Sequence, residues 1–179
     1  DKDAGLGLKL AKNEYNSGEK IAMQITAPYK GYGLITIERD SVYAYKWFKA
    51  EEASSMQEIE LPEGVEGNAY VNVAFFRDID SKEIFMPSMT YAAAPFAIDT
   101  SARRVDIALN VPESVKPGEE LKIGYKTSHP SRIIVYGVNQ GILQVADYKL
   151  PQPLQEFFKK KALRVVTSQI MDLIMPDIR

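Results

Sequence analysis

The chain has 179 residues, 45% of them hydrophobic and 26% charged, with a formal net charge of −2. That length supports one large or two small domains with buried cores, and the balanced charge supplies no field to gather nucleic acid or an anionic membrane surface. With no cysteine, disulfides, thiolate nucleophiles, cysteine-bound zinc and iron–sulfur clusters are excluded together; the compartment stays open, because cytosolic and periplasmic proteins alike do without cysteine. The apolar run Gly137 to Val145 falls far short of a membrane span. The opening Asp1-Lys2-Asp3 does not read as a signal sequence, and a mature or excised fragment is expected to begin in this way.

In chain order, the first hundred or so residues read as short strands separated by turns. Leu6, Leu8 and Leu10 alternate with small or charged residues, and Ile21, Met23 and Ile25 alternate again after the turn Asn16-Ser17-Gly18-Glu19. Gly31-Tyr32-Gly33 marks a further turn before Leu34 to Ile37, and Val42 to Phe48 alternates through Tyr43, Tyr45 and Trp47. Met56, Ile59 and Leu61 lead into a turn region from Glu63 to Asn68, then Tyr70 to Phe76 makes a mostly apolar, central strand. Asp78 to Lys82 is a hairpin connection before Ile84-Phe85-Met86, and Met89 to Ile98 closes the unit. About seven strands in this length is the size of a two-sheet sandwich.

Asp99 to Ala102 reads as a linker, after which the pattern restarts. Val105, Ile107, Leu109 and Val111 alternate, then come Lys116-Pro117-Gly118-Glu119 and Leu121, Ile123 and Tyr125. Gly18-Glu19 corresponds to Gly118-Glu119, Ile21-Met23-Ile25 to Leu121-Ile123-Tyr125, and Leu34-Ile35 to Ile134-Val135. Two tandem copies of one sandwich, residues 1–101 and 102–179, is the economical reading; a chance match stays open because Gly-Glu turns are common. The second copy then changes texture. Leu154, Phe157 and Phe158 sit at helical spacing on a short basic helix ending near Lys161, and Ile170, Met171, Leu173 and Ile174 recur likewise after a candidate N-cap, Ser168, until Pro176. Three or four strand-like segments precede this point, so the second sandwich is expected to be incomplete at Arg179, its remaining strands further along a parent chain.

Candidate chemistry is sparse. His129, the one histidine, lies in a turn between Ser128 and Pro130 with no sequence neighbour to position it as a base, and no Gly-x-Ser-x-Gly elbow occurs. Asp78, Asp80 and Glu83 invite a calcium reading, but their spacing lacks the remaining ligands of an EF-hand loop, and a solvated turn is the simpler account. Glu51-Glu52 with Glu58 and Glu60 offer carboxylate pairs of the kind glycoside hydrolysis uses; outward-facing strand positions explain them equally. Lys159-Lys160-Lys161 with Arg164 suit phosphate or anionic lipid, or simply the wet face of a helix. Tyr43, Tyr45, Trp47 and Phe48 are of the type that stacks on sugars or bases, yet alternation divides them between two faces. No nucleotide-binding glycine loop is present. These residues place no catalytic, metal or cofactor site, and the reading is of a non-enzyme.

The stretch Tyr136-Gly137-Val138-Asn139-Gln140-Gly141-Ile142-Leu143-Gln144-Val145 is similar to the Ala-Val-Asp-Glu-Gly-Ile-Leu segment of alpha-2-macroglobulins. Tyr148-Lys149-Leu150-Pro151-Gln152-Pro153, Phe157-Phe158 and Lys161-Ala162-Leu163-Arg164-Val165 resemble the bacterial branch, and Leu8 to Glu19 resembles the start of the preceding macroglobulin domain there. The resemblance implies a mostly β chain of two tandem macroglobulin-like, immunoglobulin/fibronectin-like antiparallel sandwiches, the second incomplete and followed by short helices. It implies a scaffold piece of a broad-spectrum protease inhibitor: a protease cuts an exposed bait, and the parent rearranges to enclose it. The bait is then expected at or beyond Met175, Pro176, Asp177, Ile178 and Arg179, with the helical segment 154–175 as a lever joining scaffold to bait. Partners implied are proteases, through the bait, and neighbouring domains of the same chain, with no nucleic acid and no membrane insertion by this stretch. The wording is closer to members without the Cys–Gln thioester, and a periplasmic location follows, with a lipoprotein anchor on the inner membrane as one option. Asn139-Gln140 replaces the usual acidic pair and Gln152 stands where Asp is common, which puts any salt bridge there in doubt. The rival readings are a tandem-sandwich adhesin binding protein or sugar, and third a glycosidase domain.

Overall fold

The computed structural model describes residues 5–147, 149 and 151–165. These residues fall into two compact units, one formed by the described parts of Asp1–Thr100 and Phe158–Arg179, the other by those of Ser101–Phe157. The chain is mostly β.

Over its described residues the first unit is a two-sheet sandwich of eight strands: β1 (Gly7–Leu10), β2 (Glu14–Tyr15), β3 (Lys20–Thr26), β4 (Gly31–Glu38), β5 (Val42–Ala50), β6 (Ser54–Glu60), β7 (Asn68–Arg77) and β8 (Met89–Ile98). One sheet has the order β1-β3-β6 and the other β2-β8-β7-β4-β5. Alternation places Ile21, Met23 and Ile25 of β3 on one inner face, and Ile35, Ile37, Val71, Val73 and Phe75 of β4 and β7 on the other. Each such fully buried side chain contributes on the order of 1.5–3 kcal/mol over its exposed state. In β4, Ile35 pairs with Val73 and Ile37 with Val71, so the centre of the core is a β-branched ladder of the kind that packs well on a pleated surface.

Gly33 shows why a small residue is required in β4. A Cβ there would stand 2.0 Å from Cε1 of Phe48, its cross-strand partner. The space a side chain would need is filled by the Phe48 ring, which packs on Phe75 with centroids 5.9 Å apart. At the other end of the core Tyr15 meets Phe96 edge-on at 5.6 Å, an arrangement that brings the positive ring edge to the negative face.

Two features depart from the sequence reading. Glu14–Tyr15 is a short strand that pairs in parallel with β8, so the larger sheet is mixed rather than wholly antiparallel. Ile84-Phe85-Met86 is turn rather than strand, with Phe85 almost fully exposed. The Arg77 guanidinium holds that loop by donating to the carbonyls of Glu83 and Met86 at 2.6 and 2.7 Å.

The second unit contains a single 3-10 turn at Ser101–Arg103, the antiparallel pair β9 (Ile107–Asn110) and β10 (Gly124–Thr127), and two short helices, α1 (Gln140–Val145) and α2 (Pro153–Phe157). None of its described residues is buried. Ile134-Val135, the counterpart of Leu34-Ile35 in the sequence repeat, lies in no strand, and Ile133–Val138 around it forms none: a strand needs a neighbour to take its N–H and C=O groups, and among the described residues of this unit only β9 and β10 find each other. Asn139 is the N-cap of α1, its side-chain oxygen accepting the Gly141 N–H at 2.8 Å. Asparagine caps a helix as well as aspartate does, so this cap needs no carboxylate. The basic helix expected to run to Lys161 ends at Phe157, and Lys159 to Val165 is not helical. The lever 154–175 is therefore not one continuous helix over its described part.

Candidate functional site

The first unit's most elaborate polar arrangement lies where β4 ends and β7 begins. A register irregularity between Ile37 and Glu38 bends the end of β4, and Arg39 follows with its side chain largely buried. Its Nη1 donates to the carbonyls of Glu66 and Asn68 at 2.7 and 3.1 Å, which ties the turn before β7 to the end of β4. The guanidinium also lies over the Tyr43 ring, 5.6 Å from its centroid. Asp40 accepts a hydrogen bond from the Tyr43 hydroxyl. That bond holds the Asp40 carboxyl below its usual range, while burial first and the same bond second raise the Tyr43 phenol. One pair further along the outer face, Glu38 is buried and accepts from the Thr36 hydroxyl and from Asn72 Nδ2, the latter at 2.5 Å. A buried carboxylate needs such donors in place of water.

The segment after α2 returns to this corner. The Asn68 side-chain amide accepts the main-chain N–H of Lys161 at 2.8 Å and donates to its C=O at 2.9 Å. The Tyr70 hydroxyl donates to the same carbonyl at 3.1 Å. The Arg164 N–H donates to the Arg39 carbonyl at 2.7 Å. Gly67 lets Phe158 approach, since a Cβ there would already touch its Cδ1 at 3.4 Å. With this segment in place Asn68 is buried to 7% exposure. The arrangement recognises main chain rather than side chain, as an added strand does at a sheet edge.

The residues singled out from sequence lie elsewhere. His129 is exposed, its Nδ1 3.1 Å from the Ser128 hydroxyl; that hydroxyl accepts the main-chain N–H of Asp106 at 3.2 Å, while the Asp106 carboxylate pairs with Arg104 at 2.9 Å. Asp78 accepts the Asp80 N–H at 3.2 Å and Glu83 accepts the Ser81 hydroxyl at 2.7 Å, which is turn chemistry. Among the described residues no group of three or more His, Asp and Glu side chains converges for a metal. Lys20 pairs with Glu58 at 3.0 Å and Lys49 with Glu51 at 2.5 Å, both surface pairs. Glu52 and Glu60 are likewise exposed. Tyr45 and Trp47 stand exposed on the outer sheet face, at 70% and 58%, while Phe48 is in the core, the split that alternation gives. Lys159, Lys160, Lys161 and Arg164 all expose their side chains, but from non-helical chain rather than a helix face. Met175, Pro176, Asp177, Ile178 and Arg179 lie outside the described residues. Among the described residues no helix is long and apolar enough to cross a membrane. Arg39, Asn68 and Tyr70 were not found from sequence. The available signal was slight, a polar Asn opening an otherwise apolar strand.

Comparison with known proteins gives the context. Residues 6–145 match the family model described as the alpha-2-macroglobulin bait region domain. The chain is 49% identical over 174 residues to an alpha-2-macroglobulin of Rickettsia conorii and 49% identical over 177 residues to an alpha-2-macroglobulin homolog of Yersinia pestis, covering 97% and 99% of this chain. It spans only 9% of the length of each of these relatives. Among solved structures it is similar to Salmonella alpha-2-macroglobulin reacted with methylamine, with a TM-score of 0.54, and to the native conformation of E. coli alpha-2-macroglobulin, with 0.53; both are 23% identical, cover 89% of this chain, and match over 11% and 10% of their own length. At that identity these two support the fold alone. From the family model and the two close relatives, the chain belongs to the alpha-2-macroglobulin bait region domain family.

Proposed function

We propose that this chain is a scaffold stretch of a bacterial protease trap, with no catalysis of its own, and that the segment a protease cuts follows it at or beyond Met175 to Arg179. The observation that carries the reading is the family match over residues 6–145. The bare second unit supports it. Its β9 and β10 pair Leu109 with Tyr125 and Ile107 with Thr127 on one face, and Ile107, Leu109 and Tyr125 there are 50%, 63% and 58% exposed. An apolar strand face of this kind is stable only when another layer covers it. In the proposal, strands from beyond the cleavable segment provide that layer, so the segment is an insertion within one sandwich and a cut does not separate the halves.

The trap is periplasmic in this reading, with a lipoprotein anchor on the parent as one option; fractionation of the source cell tests that part. The adhesin alternative is not retained, since it leaves the family match unexplained. The test is exposure of the full-length parent to several unrelated proteases, with fragments mapped and residual activity assayed on large and small substrates. The expected result is cutting after residue 175, with loss of activity on large substrates and retention on small ones. Cuts confined to residues 1–150, or no loss on large substrates, would overturn the proposal.

A further inference from the structure

The basic run Lys159-Lys160-Lys161 with Arg164 presents a contradiction for a trap. These exposed cations are what trypsin-like proteases read, and the run precedes the segment proposed to be cut. We infer that the corner formed by Arg39, Gly67, Asn68 and Tyr70 is a main-chain docking site for residues 158–165 that sets the upstream limit of the protease-accessible stretch. The inference rests on the trap reading for its biological role, but its geometry is independent of it.

Proteases bind the substrate as an extended strand through its own N–H and C=O groups, the mode by which strands add to a sheet. Here the Asn68 amide already holds the Lys161 N–H and C=O at 2.8 and 2.9 Å. The Tyr70 hydroxyl takes up further capacity of that carbonyl at 3.1 Å, and the Arg39 carbonyl holds the Arg164 N–H at 2.7 Å. The side chains of Lys161 and Arg164 remain in solvent, while the main chain a protease must grip is engaged. Cleavage at Lys161–Ala162 or Arg164–Val165 therefore requires local release, and its rate follows the population of the released state. Because the site recognises backbone, the basic side chains are free to vary without loss of the latch.

The test uses the full-length parent, wild type and Asn68→Ala, treated with trypsin and mapped by mass spectrometry. Wild type is expected to give no early ends at Lys161 or Arg164. Asn68→Ala loses both amide hydrogen bonds, and the two ends should then appear on the order of ten-fold faster. Hydrogen exchange at the Lys161 and Arg164 amides should accelerate in step, with β4 and β7 still protected. If Asn68→Ala loses protection in β4 and β7, Tyr70→Phe replaces it, with a smaller rise expected at the same two bonds. Wild-type cutting at Lys161–Ala162 or Arg164–Val165 as fast as beyond residue 165, or no change in either variant, would overturn the latch. A parent that inhibits no protease yet keeps both amides protected would sink the trap reading and leave the latch standing.

Discussion

Glu119 repeats in the second unit the bond that Glu19 makes in the first. Its carboxylate accepts the main-chain N–H of Lys116 at 3.1 Å, as that of Glu19 accepts the N–H of Asn16 at 2.9 Å. The backbone bonds repeat too, Glu19 N–H to the Asn16 carbonyl at 3.0 Å and Glu119 N–H to the Lys116 carbonyl at 3.1 Å. Gly18 and Gly118 sit between them with φ of 77° and 86°, the left-handed region in which a β-carbon is strained. The two turns are one device used twice.

Gly18→Ala should destabilise the first unit by about 1 kcal/mol. Space is not the reason, because the new Cβ would only graze Glu63 at 3.9 Å. The check is a lower urea midpoint at unchanged slope. A neutral result would mean that the turn relaxes to another conformation.

Glu19 also accepts from the Lys12 ammonium, and that bond is the first cause, with the Asn16 N–H second, holding its carboxyl below the usual 4.5; the same pairing raises Lys12 above 10.5. A depressed carboxyl contributes fully above 4.5, and that contribution disappears as pH falls through the lower folded value; the raised ammonium contributes fully below 10.5 and loses it as pH climbs through the higher one. The pair is thus intact across the neutral range. Lys12→Met should move the Glu19 midpoint up toward 4.5 in a carboxyl-carbon NMR titration, and an unmoved midpoint would remove Lys12 as the main cause.

Gly33→Ala places a methyl 2.0 Å from the Phe48 ring, an overpacking expected to cost about 1–3 kcal/mol. Adding Phe48→Leu should recover part of that loss, because the two changes share one space. Denaturant melts of the two single variants and the double check the coupling. Strict additivity would show that Phe48 is not what Gly33 accommodates.

The isolated chain should self-associate through the bare β9–β10 face, with Leu109→Thr and Tyr125→Thr together weakening association by roughly 1–2 kcal/mol or more. Sedimentation across a concentration series measures this. Wild type monomeric at all concentrations would mean that the face needs no partner.

The alternation of Ile21, Met23 and Ile25, and of Val71, Val73 and Phe75, was enough to read a two-layer unit, since side-chain period and burial are properties of a strand itself. The Gly-Glu turns were likewise legible, because a positive φ writes itself into the sequence as glycine. The helix end at Phe157 was not: helical spacing through Phe158 says nothing about a distant amide at Asn68 that holds Lys161 in non-helical chain. Nor did Ile133–Val138 announce that it would lack a partner.

Local periodicity and turn chemistry thus determined the strands of the first sandwich, and the resemblance of residues 136–165 identified the family before any coordinate did. Tertiary structure alone decided the docking corner at Arg39, Asn68 and Tyr70. The hydrogen bonds of Tyr70 and Asn68 there join residues 91 and 93 positions apart, and the segment the corner holds is hydrogen-bonded through main-chain groups that every residue carries, which leave no mark in sequence.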